Sequence, residues 1–100
     1  MTATMLDTIQ DLLDGAPAPS LSALEDTLTT GYAQALSLEG RRLRLERDLR
    51  ELVRTPGPRT SRRAIAIAEL SEQIDDTDRD LRRLRRLLAT LRKHVADPAR

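Results

Sequence analysis

Cysteine, phenylalanine and tryptophan are absent from this chain of 100 residues, and Tyr32 is its one aromatic side chain. The lack of cysteine excludes a disulfide framework, a thiolate metal site and a cysteine nucleophile. Aromatic side chains supply much of the buried area in mixed globular cores, so their near absence makes such a core improbable. Burial must rest on the 18 leucines instead, and together with 33% charged residues and four glycines this composition is typical of long helices.

Long apolar runs are also missing from the sequence. No stretch approaches the roughly 20 apolar residues that a membrane span requires. Residues 1–13 contain no lysine or arginine, unlike a signal or transit peptide. We therefore expect a cytoplasmic protein with no membrane partner.

The residue types that serve catalysis and metal binding are sparse. His94 is the single histidine, no serine lies in a nucleophile-elbow context, and there is no glycine-rich phosphate loop. Alternate aspartates in residues 76–80 resemble the start of a calcium loop, but Leu81 and Leu87 occupy the positions that need glycine and glutamate. We expect no enzymatic activity, no cofactor and no metal site, with His94 at the solvent or near the last carbonyls of its helix.

Two clusters of proline and glycine, residues 15–19 and 56–58, divide the chain. Glycine can close a helix and proline cannot continue one, so each cluster predicts a break between helices. Apolar residues recur at helical spacing on both sides of each break. The predicted single helical domain, residues 1–100, contains helices at about 4–14, 20–55 and 61–96 and a turn at 56–60.

Capping signals mark the starts of the two long helices. Ser22 and Glu25 fit a capping box, in which each side chain accepts a hydrogen bond from the other residue's backbone amide. Thr60 or Ser61 is available to cap the third helix.

Both long helices carry a seam of apolar residues at alternating steps of three and four. Eight of ten seam positions are apolar in the second helix and eight of nine in the third. Seams of this length indicate a coiled coil, and the short turn between the helices favours an antiparallel arrangement. We predict an all-α fold, a long antiparallel helical hairpin with a short N-terminal helix, assembling into a helical bundle. The seam positions are Leu21, Leu24, Leu28, Gly31, Ala35, Leu38, Arg42, Leu45, Leu49 and Leu52, then Ile67, Leu70, Ile74, Thr77, Leu81, Leu84, Leu88, Leu91 and Val95.

The seam residues also select a register for the hairpin. Residue numbers that sum to 119 place Gly31 opposite Leu88 and Arg42 opposite Thr77, whereas numbers that sum to 112 place Arg42 opposite a leucine. The first register pairs the two polar seam residues and sets the smallest residue against a large one, which conserves volume across the layers. We therefore prefer the first register.

The apolar residues outside the seams predict an interaction surface. The short first helix has an apolar face to bury, and we expect it to fold back beside the open end of the hairpin. Leu36, Leu43, Val53 and Ile65 lie beyond its reach and form a second stripe that another copy would cover. We predict a homodimer that forms a four-helix layer. The candidate apolar partner-binding residues are Met5, Leu6, Ile9, Leu36 and Leu43.

The net charge of +1 hides an asymmetry along the chain. Residues 1–40 hold six acidic and no basic groups, while residues 41–100 hold 17 basic and ten acidic groups. The basic side chains either contact phosphates or an acidic protein surface, or they form a solvated face. The candidate basic partner-binding residues are Arg59, Arg62 and Arg63 at the hairpin tip and Arg82, Arg83 and Arg86 on the outer face of the third helix.

These features favour a non-enzymatic protein–protein interaction module, a self-associating hairpin that acts as an adaptor, scaffold or small regulatory subunit. The alternative is a nucleic-acid-binding hairpin that uses the basic tip and the outer arginine face. The near-neutral charge and the lack of aromatic residues for base stacking weigh against that alternative. In shape, residues 20–96 resemble the helical arm of seryl-tRNA synthetases, which holds tRNA. This resemblance concerns architecture, and we transfer no residue role from it.

Overall fold

The computed structural model describes residues 2–14, 20–58 and 60–96. They form three helices and, in these ranges, no strand. The helices are α1 (Thr2–Asp14), α2 (Leu21–Arg54) and α3 (Ser61–Ala96). The predicted all-α fold is confirmed, and each predicted helix boundary lies within two residues of the observed one.

The two long helices form the hairpin. They pack against each other along a molecule that measures 62 × 18 × 17 Å. The 34 residues of α2 rise about 51 Å at 1.5 Å per residue, so α2 accounts for most of that length. Because a few residues connect the two helices, α3 runs back beside α2, as the sequence predicts.

Side chains outside the helices cap their first turns. The Ser20 hydroxyl accepts a hydrogen bond of 3.1 Å from the Ala23 amide, and the Ser20 backbone is extended at ψ 154°. The Thr60 hydroxyl accepts one of 3.2 Å from the Arg63 amide. The capping box predicted at Ser22 is wrong, because Ser20 already provides the acceptor and Ser22 lies within the helix.

A side chain from α3 completes the last turn of α2. Arg63 Nη2 donates to the carbonyl oxygens of Leu52 at 2.7 Å and Val53 at 3.1 Å. The last four carbonyls of a helix have no partner within it, and a cation at this end also opposes the negative end of the helix dipole. Arg63, a predicted partner-binding residue, thus uses its guanidinium group inside the hairpin.

The register of the hairpin follows from the contact at Gly31. A Cβ atom added at Gly31 would overlap Leu88 Cδ2, so these residues face each other across the seam. Thr77 is buried and donates a hydrogen bond of 2.8 Å to the Gln73 carbonyl within its own helix. These observations confirm the register in which opposing residue numbers sum to 119.

Charged side chains beside the seam pair so that two like charges each meet an arginine. The confirmed register brings Glu39 near Asp78, two like charges. Glu39 instead pairs with Arg85, and Asp78 Oδ1 lies 2.9 Å from Arg42 Nε. Arg42 Nε also lies 3.1 Å from Glu46 Oε1, although its N–H bond is directed at neither carboxylate, so both contacts are ionic. Glu39 and Asp78 thus pair with different arginines.

Candidate protein interaction surface

Helix α1 packs against the open end of the hairpin, where α2 begins and α3 ends. Leu6 and Ile9 are 3% and 0% exposed within a core shared with both long helices, and Met5 packs against that core half-buried. The prediction of Leu6 and Ile9 as partner-binding residues is therefore wrong, because the chain buries these side chains itself. The short helix fills one flank of the hairpin, as expected.

An apolar patch on the outer surface of α2 stays uncovered. Leu36 is 69% exposed and Leu43 is 64% exposed. Gly40 lies between them, and residues three and four apart are neighbours on a helix surface. At 100° per residue the three positions fall within an arc of about 60°. We call Leu36, Gly40 and Leu43 the leucine–glycine patch.

The two glycines within α2 differ in what surrounds them. Gly31 has no room for a side chain, because Leu88 fills the space. A Cβ atom at Gly40 would meet only Arg44 Nη1, at an ordinary contact distance of 3.5 Å. Glycine inside a helix costs about 1 kcal/mol relative to alanine. Packing within the described part of the chain does not account for that cost at Gly40, which leaves a notch between two exposed leucines.

A groove of about 660 Å³ lies between α2 and α3 at the open end. We call it the open-end groove. No residue of α1 is among its described lining, and Leu87, which packs against the core shared with α1, lies on the other side of the α3 seam. The groove therefore occupies the flank opposite α1. Its lining residues are Tyr32, Ala35, Leu36, Glu39, Arg85, Leu88, Ala89, Arg92, Lys93 and Ala96.

The outer arginine face of α3 is partly neutralised. Arg82, Arg83 and Arg86 are exposed, as predicted. Arg82 and Arg86 share a shallow concavity with Arg79 and Arg85. Arg79 pairs with an aspartate of its own helix at 2.7 Å, and Arg85 pairs with a glutamate of α2.

The three arginines predicted as partner-binding residues at the hairpin tip differ in their surroundings. Arg62 is exposed, Arg63 caps α2, and Arg59 lies outside the described residues.

The predicted second apolar stripe does not form one continuous surface. Val53 and Ile65 are both exposed. Val53 lies beside the tip, next to Ala64. Ile65 precedes the seam residue Ile67 by two positions, which places it about 200° around α3 and on its outward face. Leu36 and Leu43 are therefore the pair in this stripe that shares one face.

The residues that could serve catalysis or metal binding do not form a common site in the described part of the chain. His94 is exposed, as expected, and its Nδ1 donates to the Thr90 carbonyl of the same helix at 2.9 Å. Among the described residues no three acidic or histidine side chains are placed to hold a metal ion. Within the same ranges, none of the helices combines the length and apolar character needed to cross a membrane.

Comparison with models of protein families, with curated proteins and with solved structures found no match to the chain. The architectural likeness to the arm of seryl-tRNA synthetases therefore has no counterpart in these comparisons.

The open-end groove was not predicted from the seam residues, but the residues that follow the seam of α3 by one position indicate it. Arg85, Ala89, Arg92 and Ala96 each follow a seam residue by one position. They form a second ladder with steps of four, three and four along one flank of α3. Small residues at alternate positions of such a ladder indicate space for another helix.

Proposed function

We propose that this protein is a non-enzymatic interaction module that associates with a second copy of itself through the leucine–glycine patch. The observation that carries the proposal is the notch at Gly40, which lies between two leucines that are mostly exposed. Large contiguous apolar surface that a chain leaves uncovered marks an interaction site. Helix α1 is not available to cover it, because its apolar face is buried on another part of the hairpin.

The spacing of the patch suits a two-fold axis. If two copies of α2 cross antiparallel near Gly40, Leu36 of one copy packs against the partner's Leu43, and the reverse contact forms at the same time. Such a reciprocal arrangement is the defining property of a two-fold interface. The same register brings Tyr32 to the partner's Arg47, a pair suited to a cation–π contact. The two hairpins then lie side by side as a four-helix layer.

The buried area sets the strength of this association. Complete burial of an exposed leucine contributes about 1.5–3 kcal/mol. Four leucines that are about two-thirds exposed therefore contribute about 4–8 kcal/mol. Association itself costs about 4–15 kcal/mol, so close backbone contact at Gly40 must add to the leucine term. We expect a reversible dimer that forms at micromolar concentration.

Sedimentation equilibrium between about 1 and 100 µM tests the proposal, because about 1 µM affinity corresponds to roughly 8 kcal/mol. The wild-type mass is expected to rise from 11.2 kDa towards twice that value. Leu43→Glu is expected to stay at the monomer mass, since it places a charge in the interface. Ile65→Glu changes a similarly exposed apolar residue on another face, and it is expected to behave as the wild type.

Two outcomes would contradict self-association through this patch. The first is a wild-type mass of 11.2 kDa at every concentration. The second is equal loss of association in the Leu43→Glu and Ile65→Glu variants, provided that circular dichroism shows both to be folded.

The arginine face of α3 supports nucleic-acid binding as a second candidate function. Arg82 and Arg86 are exposed beside each other, and in the described chain neither has a carboxylate within ion-pair distance. Binding driven by phosphate contacts is strongest at low salt. Retention of RNA or DNA at about 50 mM salt, lost in Arg82→Glu/Arg86→Glu, would favour this candidate, and no retention would eliminate it.

A further inference from the structure

We infer that the open-end groove is a docking site for an acidic amphipathic helix of a partner protein. The inference rests on the proposed role as an interaction module and assigns a partner to a surface other than the dimer contact. The two surfaces share Tyr32 and Leu36 at their boundary, whereas Gly40 and Leu43 lie beyond the described lining of the groove, nearer the hairpin tip.

The floor and walls of the groove are apolar. Ala35 and Leu88 are buried and form the floor. Ala89 lies beside them, and its small side chain allows the backbone of another helix to approach closely. Tyr32 and Leu36 project from α2 with much of their surface exposed, so an incoming apolar stripe would complete their burial.

The dimensions of the groove fit three turns of helix. Its lining residues on α3 extend from Arg85 to Ala96, which is about 16 Å at 1.5 Å per residue. A docked helix of about 11 residues spans that distance. The groove lies between two helices and is open along its length, so a third helix can lie in it with a polar face towards the solvent.

The charges on the rim select an acidic partner. Three basic residues and one acidic residue line the groove. The acidic residue, Glu39, already pairs with Arg85. In the described part of the chain, no carboxylate lies within ion-pair distance of Arg92 or Lys93. A helix with glutamate or aspartate beside its apolar stripe would supply both missing partners.

Helix α1 shows that this end of the hairpin accepts such a helix. It has 13 residues, three of them aspartates and none of them basic. It inserts Leu6 and Ile9, which are three positions apart, into the opposite flank. Because those two anchors are buried in their own chain, α1 is not the occupant of the open-end groove. An amphipathic helix thus already covers one flank of this end, and the groove lies on the other flank.

Fluorescence anisotropy with two labelled peptides tests the inference on the full chain. Both peptides carry the same leucine stripe at helical spacing, and they differ only in glutamate or lysine at every flanking position. The glutamate peptide is expected to bind at least about tenfold more tightly, a difference of about 1.4 kcal/mol. In Arg92→Glu/Lys93→Glu the preference is expected to reverse. The control Arg82→Glu/Arg83→Glu changes the net charge equally on exposed residues outside the groove, and it is expected to keep the preference.

Three results would overturn the inference. Equal binding of the two peptides would remove charge recognition, and equal weakening by both double variants would show attraction to net charge alone. Loss of self-association in Arg92→Glu/Lys93→Glu would show that a second copy occupies the groove. Sedimentation of the same samples keeps the two proposals separate. Leu43→Glu is expected to abolish the dimer while peptide binding persists. A wild-type chain that is monomeric but binds the glutamate peptide would contradict self-association and leave the docking site in place.

Discussion

Substitution of Gly31 by alanine tests the packing of the hairpin at its tightest point. The added methyl group would overlap Leu88 Cδ2, with Leu88 Cγ at 3.5 Å and Cδ1 at 3.6 Å from the new atom. Leu88 is only 2% exposed and belongs to the core that also contains α1. Its side chain therefore cannot move into solvent and has to change rotamer against packed neighbours.

The magnitude follows from two opposing effects. Alanine is favoured over glycine inside a helix by about 1 kcal/mol. Forcing an extra methylene into a packed core costs about 1–3 kcal/mol. The overlap is with the end of a side chain that has little free space, so we expect Gly31→Ala to lower the free energy of unfolding by about 1 kcal/mol. For a domain of this size that change lowers Tm by about 4–8 °C.

Urea denaturation followed by circular dichroism measures this effect, at a protein concentration low enough for the chain to be monomeric. Leu88→Ala alone is expected to destabilise by about 2–5 kcal/mol, because it leaves a cavity. In that background Gly31→Ala has room for its methyl group and is expected to stabilise by about 1 kcal/mol. If Gly31→Ala changed the free energy of unfolding in the same direction in both backgrounds, the contact between Gly31 and Leu88 would be refuted.

Three further substitutions probe other features of the hairpin. Gly40→Ala is expected to raise Tm by about 4–8 °C in dilute solution and to weaken self-association, so thermal melts at low and high protein concentration should show the gain only at low concentration. Leu45→Asp places a charge at a buried seam position and is expected to abolish the cooperative thermal transition seen by circular dichroism. Arg63→Ala removes two hydrogen bonds to α2 carbonyls and is expected to destabilise by about 1–2 kcal/mol in urea denaturation, whereas Arg62→Ala, at an exposed neighbour, is expected to have no measurable effect.

Much of the fold follows from features that are local in the sequence. Proline cannot continue a helix, so the proline clusters fixed two helix boundaries to within two residues. The register followed from volume and polarity across the seam, because Gly31 leaves space for Leu88 and Arg42 finds an acidic partner near Thr77. These rules act between neighbours or across one layer, so a sequence contains enough information to apply them.

Side chains that choose among several partners within reach were harder to predict. The register placed Glu39 near Asp78, but the length of the arginine side chain allows Arg85 to reach Glu39 from one to two turns away. Arg63 was counted among the basic residues of the tip, because the free carbonyls of α2 are not visible as a sequence pattern. The sequence likewise did not determine on which flank α1 docks, and therefore did not determine the position of the open-end groove.

The most direct test of self-association through the leucine–glycine patch is the distance between spin labels in the dimer. The chain has no native cysteine, so Ser61→Cys and Ser37→Cys each provide one labelling site per copy. Ser61 is the first residue of α3 at the hairpin tip, and the register places it about 28 Å along the hairpin axis from the crossing point. In an antiparallel crossing midway between residues 39 and 40, the two Ser61 positions are about 55 Å apart. The two Ser37 backbones are then about 12 Å apart, from an axial offset of about 7.5 Å and a helix separation of about 8–10 Å.

Double electron–electron resonance at a concentration that favours the dimer measures these distances. The proposed dimer predicts a long distance of about 55 Å for labels at the tip and strong short-range coupling for labels at position 37. A short distance between the tip labels would show a parallel arrangement, and an absence of dipolar coupling at both positions would show that the copies do not associate. Either result would contradict the proposal that two hairpins cross at Gly40.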